Sequence, residues 1–311
     1  AEVKAISAAT IPAAEHDRLW LAIERRIDGS SKRYIEYLAD EFWPEPASAK
    51  DGAFFVDCGL TYDGWNDDPA KTLTLAGGPP WTAGESKTLA ATGHAPFGVQ
   101  DVGRVYRFRR EGEVWPAVSV MVQFVQDATT ALVTLQDDIP ASLQGVAVAW
   151  WGRAVTEVGG LLHLEGETVQ LLADGATHPD RTVLDGTVAL DRPSVVVQAG
   201  LAYESRLETL DLEAGAADGT AMARPRRIHR AAVRLFGSLG CEIGYEPGLL
   251  EEVPFRGATT PMGSSPALFT GDKLVNFPKG WDRAAHVLVR QRQPLPLTVV
   301  AIAPRLTTND G

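Results

Sequence analysis

The feature that most constrains this chain is its punctuation. Short apolar runs are cut by Gly-, Pro- or Asp-containing turn signals about every 8–12 residues along nearly its whole length, a spacing that favours an all-β sandwich, barrel or propeller. "RLWLAIERRI" (18–27), "DGSS" and "KRYIEYL" (32–38) read as a hairpin. "AFFVDCGLTY" (53–62) stops at Asp63-Gly64, and "KTLTLAGG" (71–78), "SKTLAATG" (86–93) and "GRVYRFRREG" (103–112) are again short and bounded by Gly. "WPAVSVMVQFVQDATTALVTLQ" (115–136) holds two strands around Asp127. The 30 Gly and 20 Pro serve this class by ending strands and setting turns.

"PRRIHRAAVRLFGSLG" (225–240) is the one ambiguous segment. On a helix, Arg226, Arg230 and Arg234 stack at i, i+4 over a weak apolar stripe. On a strand, Arg226, Ile228, Arg230, Ala232 and Arg234 share one face, opposite Arg227, His229, Ala231, Val233 and Leu235. Its strand neighbours, and the closing Gly237 and Gly240, favour the strand.

Polar breaks at "YDGWNDDPAK" (62–71) and "RAVTEVGG" (153–160) divide the chain into 1–65, an inserted β module at 66–152, and a β-rich part at 153–311. Within the last, 252–283 reads as a long loop, of the kind that is functional or covered by a partner.

Charge narrows the function. With 29 Lys and Arg against 40 Asp and Glu, the net charge is −11, which argues against gripping nucleic acid and suits a surface that DNA slides past. The apolar runs fall far short of the roughly 20 residues that a membrane helix needs, so no membrane insertion is expected. Cys58 and Cys241 lie far apart without a CxxC and read as buried free thiols of a reducing compartment.

No motif carries bond-making chemistry. GxSxG and GxxxxGK[ST] are absent, and His16, His94, His163, His178, His229 and His286 match no zinc spacing. Asp63, Asn66, Asp67 and Asp68 lack the terminal Glu of a calcium loop and read as a solvated turn. Glu165 with Glu167, and Glu251 with Glu252, give no sign of converging on a cleft. No cofactor or metal is expected. Trp43, Trp65, Trp81, Trp115, Trp150, Trp151 and Trp281 suit either sugar stacking or packing. Arg226, Arg227, Arg230 and Arg234 form the one dense basic cluster, read as a solvated or ion-paired strand face, as a subunit contact against acidic residues, or, third, as a grip on DNA.

"GLLHLEGETVQLLADGATHPDRTVLDGTVAL" (160–190) carries turns at Asp174-Gly175 and Asp185-Gly186 and no catalytic spacing. It resembles a recurring signature of nozzle proteins, of the tail tubular protein B type, from short-tailed bacteriophages. The order of the pieces around it matches too. "RLWLAIERRIDGSSKRYIEYL" and "FFVDCGLTYDG" precede it; "AGLAYESRLETLDLE", "RRIHRAAVRLFGSLG", "PFR", "LFTGDKLVNFPKGWDRAAHVLVRQRQPLPLTVVAIAPRL" and "TND" follow. The resemblance covers 1–65 and 153–311, and the order of the motifs is its specific part. "LTLAGGPPWTAGESKTLAATG" with "DVGRVYRFR" is similar to the FCCH module of ubiquitin-activating enzymes, in fold only.

The resemblance implies the C-terminal portion of a non-enzymatic virion protein. The fold it implies is all-β and multi-domain, β-propeller- and β-barrel-like, with an inserted small β-barrel module; residues 18–38 resemble a last propeller blade. It further implies a homo-oligomeric ring, commonly of six subunits, at the distal end of the portal–adaptor channel of the tail. The partners implied are the tail adaptor protein, tail fibres or spikes, and genomic DNA passing without sequence-specific binding, in a virion assembled in the host cytoplasm. A receptor- or carbohydrate-binding tail module is the alternative.

Overall fold

The computed structural model describes residues 2–10, 17–39, 42–44, 49–109, 117–213, 224–246, 248–257, 265–277 and 280–309. The fold is all-β: among the described residues helix is confined to four short 3-10 turns. The chain forms two compact units, one from 1–40, 58–174 and 178–200, the other from 41–57, 175–177 and 201–311.

In the first unit, β1 (Glu2–Thr10), β2 (Asp17–Ile27) and β3 (Ser30–Tyr37) make an antiparallel sheet in that order. Asp28 and Gly29, with φ of 47° and 71°, are the two residues joining β2 to β3. Positive φ at both positions is what a type I′ hairpin demands, and its twist matches the strands it joins. Next to this turn the sheet is well held. Ile23 and Ile27 are buried, and buried Arg25 meets Glu36 through Nε and Nη2, each at 2.7 Å. Tyr34 Oη donates to the His163 carbonyl at 2.8 Å, and Glu167 Oε1 accepts the Asp28 N–H at 2.8 Å.

After β4 (Asp57–Asp63) come β5 (Thr72–Ala76), β6 (Ser86–Thr92), β7 (Val105–Phe108), β8 (Val118–Asp127), β9 (Thr130–Leu135), β10 (Ala147–Val148) and β11 (Trp151–Arg153). Strands β5 to β11 form a nearly closed, barrel-like sheet ordered β10-β5-β6-β9-β8-β7-β11. Alternation along each strand sends Leu73, Leu75, Leu89, Tyr106, Phe108, Val120, Val122, Val133 and Leu135 into one interior. The chain enters and leaves this sheet side by side: Asn66 N donates to Trp151 O at 2.8 Å and Arg153 N to Gly64 O at 2.9 Å. Glycine is required at that crossing, because a Cβ on Gly152 would lie 2.5 Å from Val195 Cγ1.

The unit continues with β12 (Val155–Val158), β13 (Thr168–Ala173), β14 (Ala176–Thr182), β15 (Val188–Ser194) and β16 (Val196–Leu201). β12 pairs with β15, and the others join β4 in the order β14-β13-β16-β4. β12 lies inside the stretch expected as a polar break at 153–160: "VTEV" alternates well enough to pair despite its polar flanks.

In the second unit are β17 (Ser205–Glu208), β18 (Arg226–Ser238), β19 (Glu242–Gly244), β20 (Leu250–Glu252), β21 (Phe269–Asn276), β22 (Leu288–Gln291) and β23 (Thr298–Thr308). They make two sheets, β17-β22-β19-β20 and β21-β18-β23, over a core that includes Ala231, Val233, Leu235, Ile243, Val275, Val287 and Val289. The expected long loop at 252–283 contains β21, an eight-residue strand whose Gly, Asp and Asn hide its alternation. Residues 258–264 and 278–279 of that stretch lie outside the described residues.

Candidate functional site

The arginine-rich segment is the 13-residue central strand β18, paired on one side with β21 and on the other with β23. Its faces do not alternate as strictly as the sequence suggests. The register with β23 shifts between Ile228 and Arg230, a bulge that reverses the phase. Arg226 and Ile228 are therefore buried, while beyond the bulge Ala231, Val233 and Leu235 take over the inward positions.

The four arginines consequently do different things. Arg226 is spent inside the chain: its guanidinium donates to the carbonyls of Leu212 and Arg283 and to Glu213. Arg234 is exposed and forks onto Asp272, with Nε–Oδ1 at 2.7 Å and Nη2–Oδ2 at 2.9 Å. The bidentate bond holds Asp272 below the usual carboxylate range and raises the guanidinium further. Arg227 is half-buried, its Nε without a hydrogen-bond partner. Arg230 stands on the outer face.

Cross-strand pairing arranges that face in three rows: Asn276, Arg230 and Arg305; then Leu274, Ala232 and Ala303; then Asp272, Arg234 and Ala301. Ala301, Ala303 and Arg305 are exposed, and Leu274 is 65% exposed. His229, at the bulge, is also exposed and meets Thr307 Oγ1 at 2.7 Å through Nε2. The result is a face that is small and apolar in the middle and basic at one end. Sequence reasoning missed Arg305. Its place beside Arg230 depends on the pairing of strands some 70 positions apart, and no local signal carries that.

The other candidates serve architecture. Asn66 Nδ2 donates to the carbonyls of Asp68, Lys71 and Ala149, so the acidic stretch at 63–68 is a braced turn. Glu165 accepts the N–H groups of Asp185 and Gly186 at 3.0 and 2.8 Å, clamping the second Asp-Gly turn. Buried His178 accepts the Asp191 N–H at Nε2 and donates from Nδ1 to Pro179 O. Glu251 and Glu252 lie on the exposed edge strand β20.

Several tryptophan faces are already occupied. Arg109 lies 4.0 Å from the Trp65 ring and 5.2 Å from Trp150, Trp151 is buried and stacked on His94, and Trp81 lies under Lys87. Trp43 and Trp281 remain substantially exposed, whereas Trp115 lies outside the described residues. Among the described residues, no three His, Cys, Asp or Glu side chains group to hold a metal ion. None of their helices is long and apolar enough to cross a membrane. Both cysteines are free thiols, Cys241 buried and Cys58 half-buried. No protein-family model matches the chain, and no curated protein matches it.

Proposed function

We propose that this chain is a structural virion protein that assembles with copies of itself into the nozzle ring of a short-tailed phage tail, holding packaged DNA and letting it pass at ejection. The observation that carries the reading is the sheet β1-β2-β3. Among the described residues no further strand pairs with β1 or β3. Away from the Asp28-Gly29 turn each face carries an exposed apolar side chain: Ile6 is 65% exposed on one and Ile35 73% exposed on the other. Unpaired edges flanked by exposed apolar side chains are a liability for an isolated chain and an asset for one that assembles. The ordered motifs of the nozzle resemblance supply the setting, and the net charge of −11 suits a wall that phosphates do not adhere to.

Electron microscopy of the purified chain and of intact particles tests this. Rings with a central opening, matching density at the distal tail, are expected; monomers or trimeric spikes overturn the reading. Exposed Trp43 and Trp281 favour the second reading, carbohydrate binding. That reading requires glycan capture that disappears in Trp43→Ala or Trp281→Ala.

A further inference from the structure

We infer that the outer face of β21-β18-β23 docks an acidic surface of a second copy of this chain, with Arg230 and Arg305 as the residues that receive its carboxylates. This rests on the self-assembly reading and names the contact.

The face holds a local conflict. Arg230 and Arg305 are directly opposite each other on adjacent antiparallel strands and point to the same side. Like charges in that relation destabilise a sheet. Arg227 adds a third cation to the same end of the face, before the bulge. Among the described residues neither Arg230 nor Arg305 has a carboxylate partner, whereas Arg234, four residues further along the same strand face, has Asp272. One end of the face is thus electrostatically closed within the chain, and the other is left open.

The open end calls for anions from outside, and the rest of the face says which kind. Beside the arginines lie Ala232, Ala301, Ala303 and Leu274, with Val300 59% exposed. Small side chains let another polypeptide backbone approach closely, and exposed apolar area is stabilised by protein packing, not by a phosphate backbone. A chain with net charge −11 repels nucleic acid at long range, yet every copy brings surplus carboxylates to its neighbours. Strand β20 presents two of them, exposed Glu251 and Glu252, on a sheet edge beside Leu249, itself 53% exposed. Basic-and-apolar against acidic-and-apolar is a heterologous pairing, which builds a ring where the rotation between copies closes.

The test uses the full 311-residue chain in mass photometry and sedimentation, comparing wild type with the Arg230→Glu/Arg305→Glu and Arg230→Lys/Arg305→Lys variants. Circular dichroism and melting confirm that the surface changes leave the fold intact. The Glu variant is expected to weaken self-association at least about tenfold, the Lys variant to retain most of it, and about 0.5 M NaCl to weaken the wild type. Rings that persist in the Glu variant overturn this contact while leaving the ring reading standing. A wild type that stays monomeric overturns both. Binding of a short DNA duplex that the Glu variant loses, with assembly unchanged, assigns the face to nucleic acid and overturns the contact.

Discussion

Arg107 on β7 closes on the carboxylate of Asp174, the first residue of the turn between β13 and β14. Asp174 Oδ1 also accepts the N–H groups of Val195 and Val196, at 2.9 and 3.0 Å, and Arg107 Nη2 donates to Pro193 O at 2.8 Å. A turn residue with φ of 52° thereby ties the barrel-like sheet to the β15–β16 connection. Removing one partner of a largely buried charged pair leaves the other stranded, at a cost of about 3 kcal/mol or more. Asp174→Ala is expected to show that loss in urea unfolding. Asp174→Asn, which keeps positive φ accessible and one acceptor oxygen, should lose less. Equal stability of Asp174→Ala and wild type would show that the tie contributes nothing.

Tyr106 illustrates the opposite case, a polar atom that stability would be better without. Its ring is buried in the barrel interior, edge-on to Phe97 at 5.7 Å, and its hydroxyl has no hydrogen-bond partner. Burial, aided by the charge of Asp101, raises the phenol above its ordinary range. Tyr106→Phe keeps the packing and deletes the stranded hydroxyl, for an expected gain of about 1 kcal/mol. The sign of the pH effect follows from the raised folded value. Stability is complete below the ordinary tyrosine pKa, near 10, and is lost as pH climbs above it, because only the unfolded chain releases the proton readily there. The variant should therefore show a flatter alkaline limb in melting curves, and an unchanged limb and midpoint would refute both parts.

The two thiols should be separable by reagent. Burial pushes the Cys241 thiol up to about 12, and the side chain sits in the core with Ile243 and Val289. Cys58 is half-buried at the start of β4. Since the thiolate is the reactive form, native protein should consume one equivalent of a disulfide reagent promptly and a second only on unfolding. Prompt reaction of both, or modification of Cys241 first, would contradict this packing.

What could be read without coordinates was whatever is written locally. Asp28-Gly29, Asp174-Gly175 and Asp185-Gly186 all place Asp at φ near 50° and Gly near 70°, and Asp-Gly between apolar runs signals that geometry. The strand at 226–238 was legible for the same reason, through its alternation and terminal glycines. The bulge at 228–230 was not, since a bulge is a relation between two strands, and it decides that Arg226 turns inward while Arg230 turns outward. Arg305 beside Arg230, and Glu165 reaching back to the Asp185 turn, are likewise products of register. Local composition specifies the turns; the surface chemistry depends on which strand lies beside which.

The barrel-like sheet is expected to fold as a unit by itself. Its interior is filled by its own residues, from Leu73 to Trp151. Its entry and exit run antiparallel through the Trp65–Gly152 bridge, and Arg153 Nη2 bonds buried Asp101 at 2.7 Å, pinning the exit strand to the sheet. A segment whose ends already lie together and whose core needs no outside side chain has what autonomous folding requires. Residues 63–154 expressed alone should therefore give a monomer that unfolds in one cooperative transition, with dispersed amide resonances and slow hydrogen exchange at Leu89, Val122 and Val133, residues buried in its central strands. Strand β11, buried in the full chain, loses its cover at Val195 in that fragment, so a lower midpoint than in the full chain is expected while the transition stays cooperative. A fragment that aggregates or exchanges its core amides within seconds would mean that these strands hold their shape only in the context of the rest of the first unit.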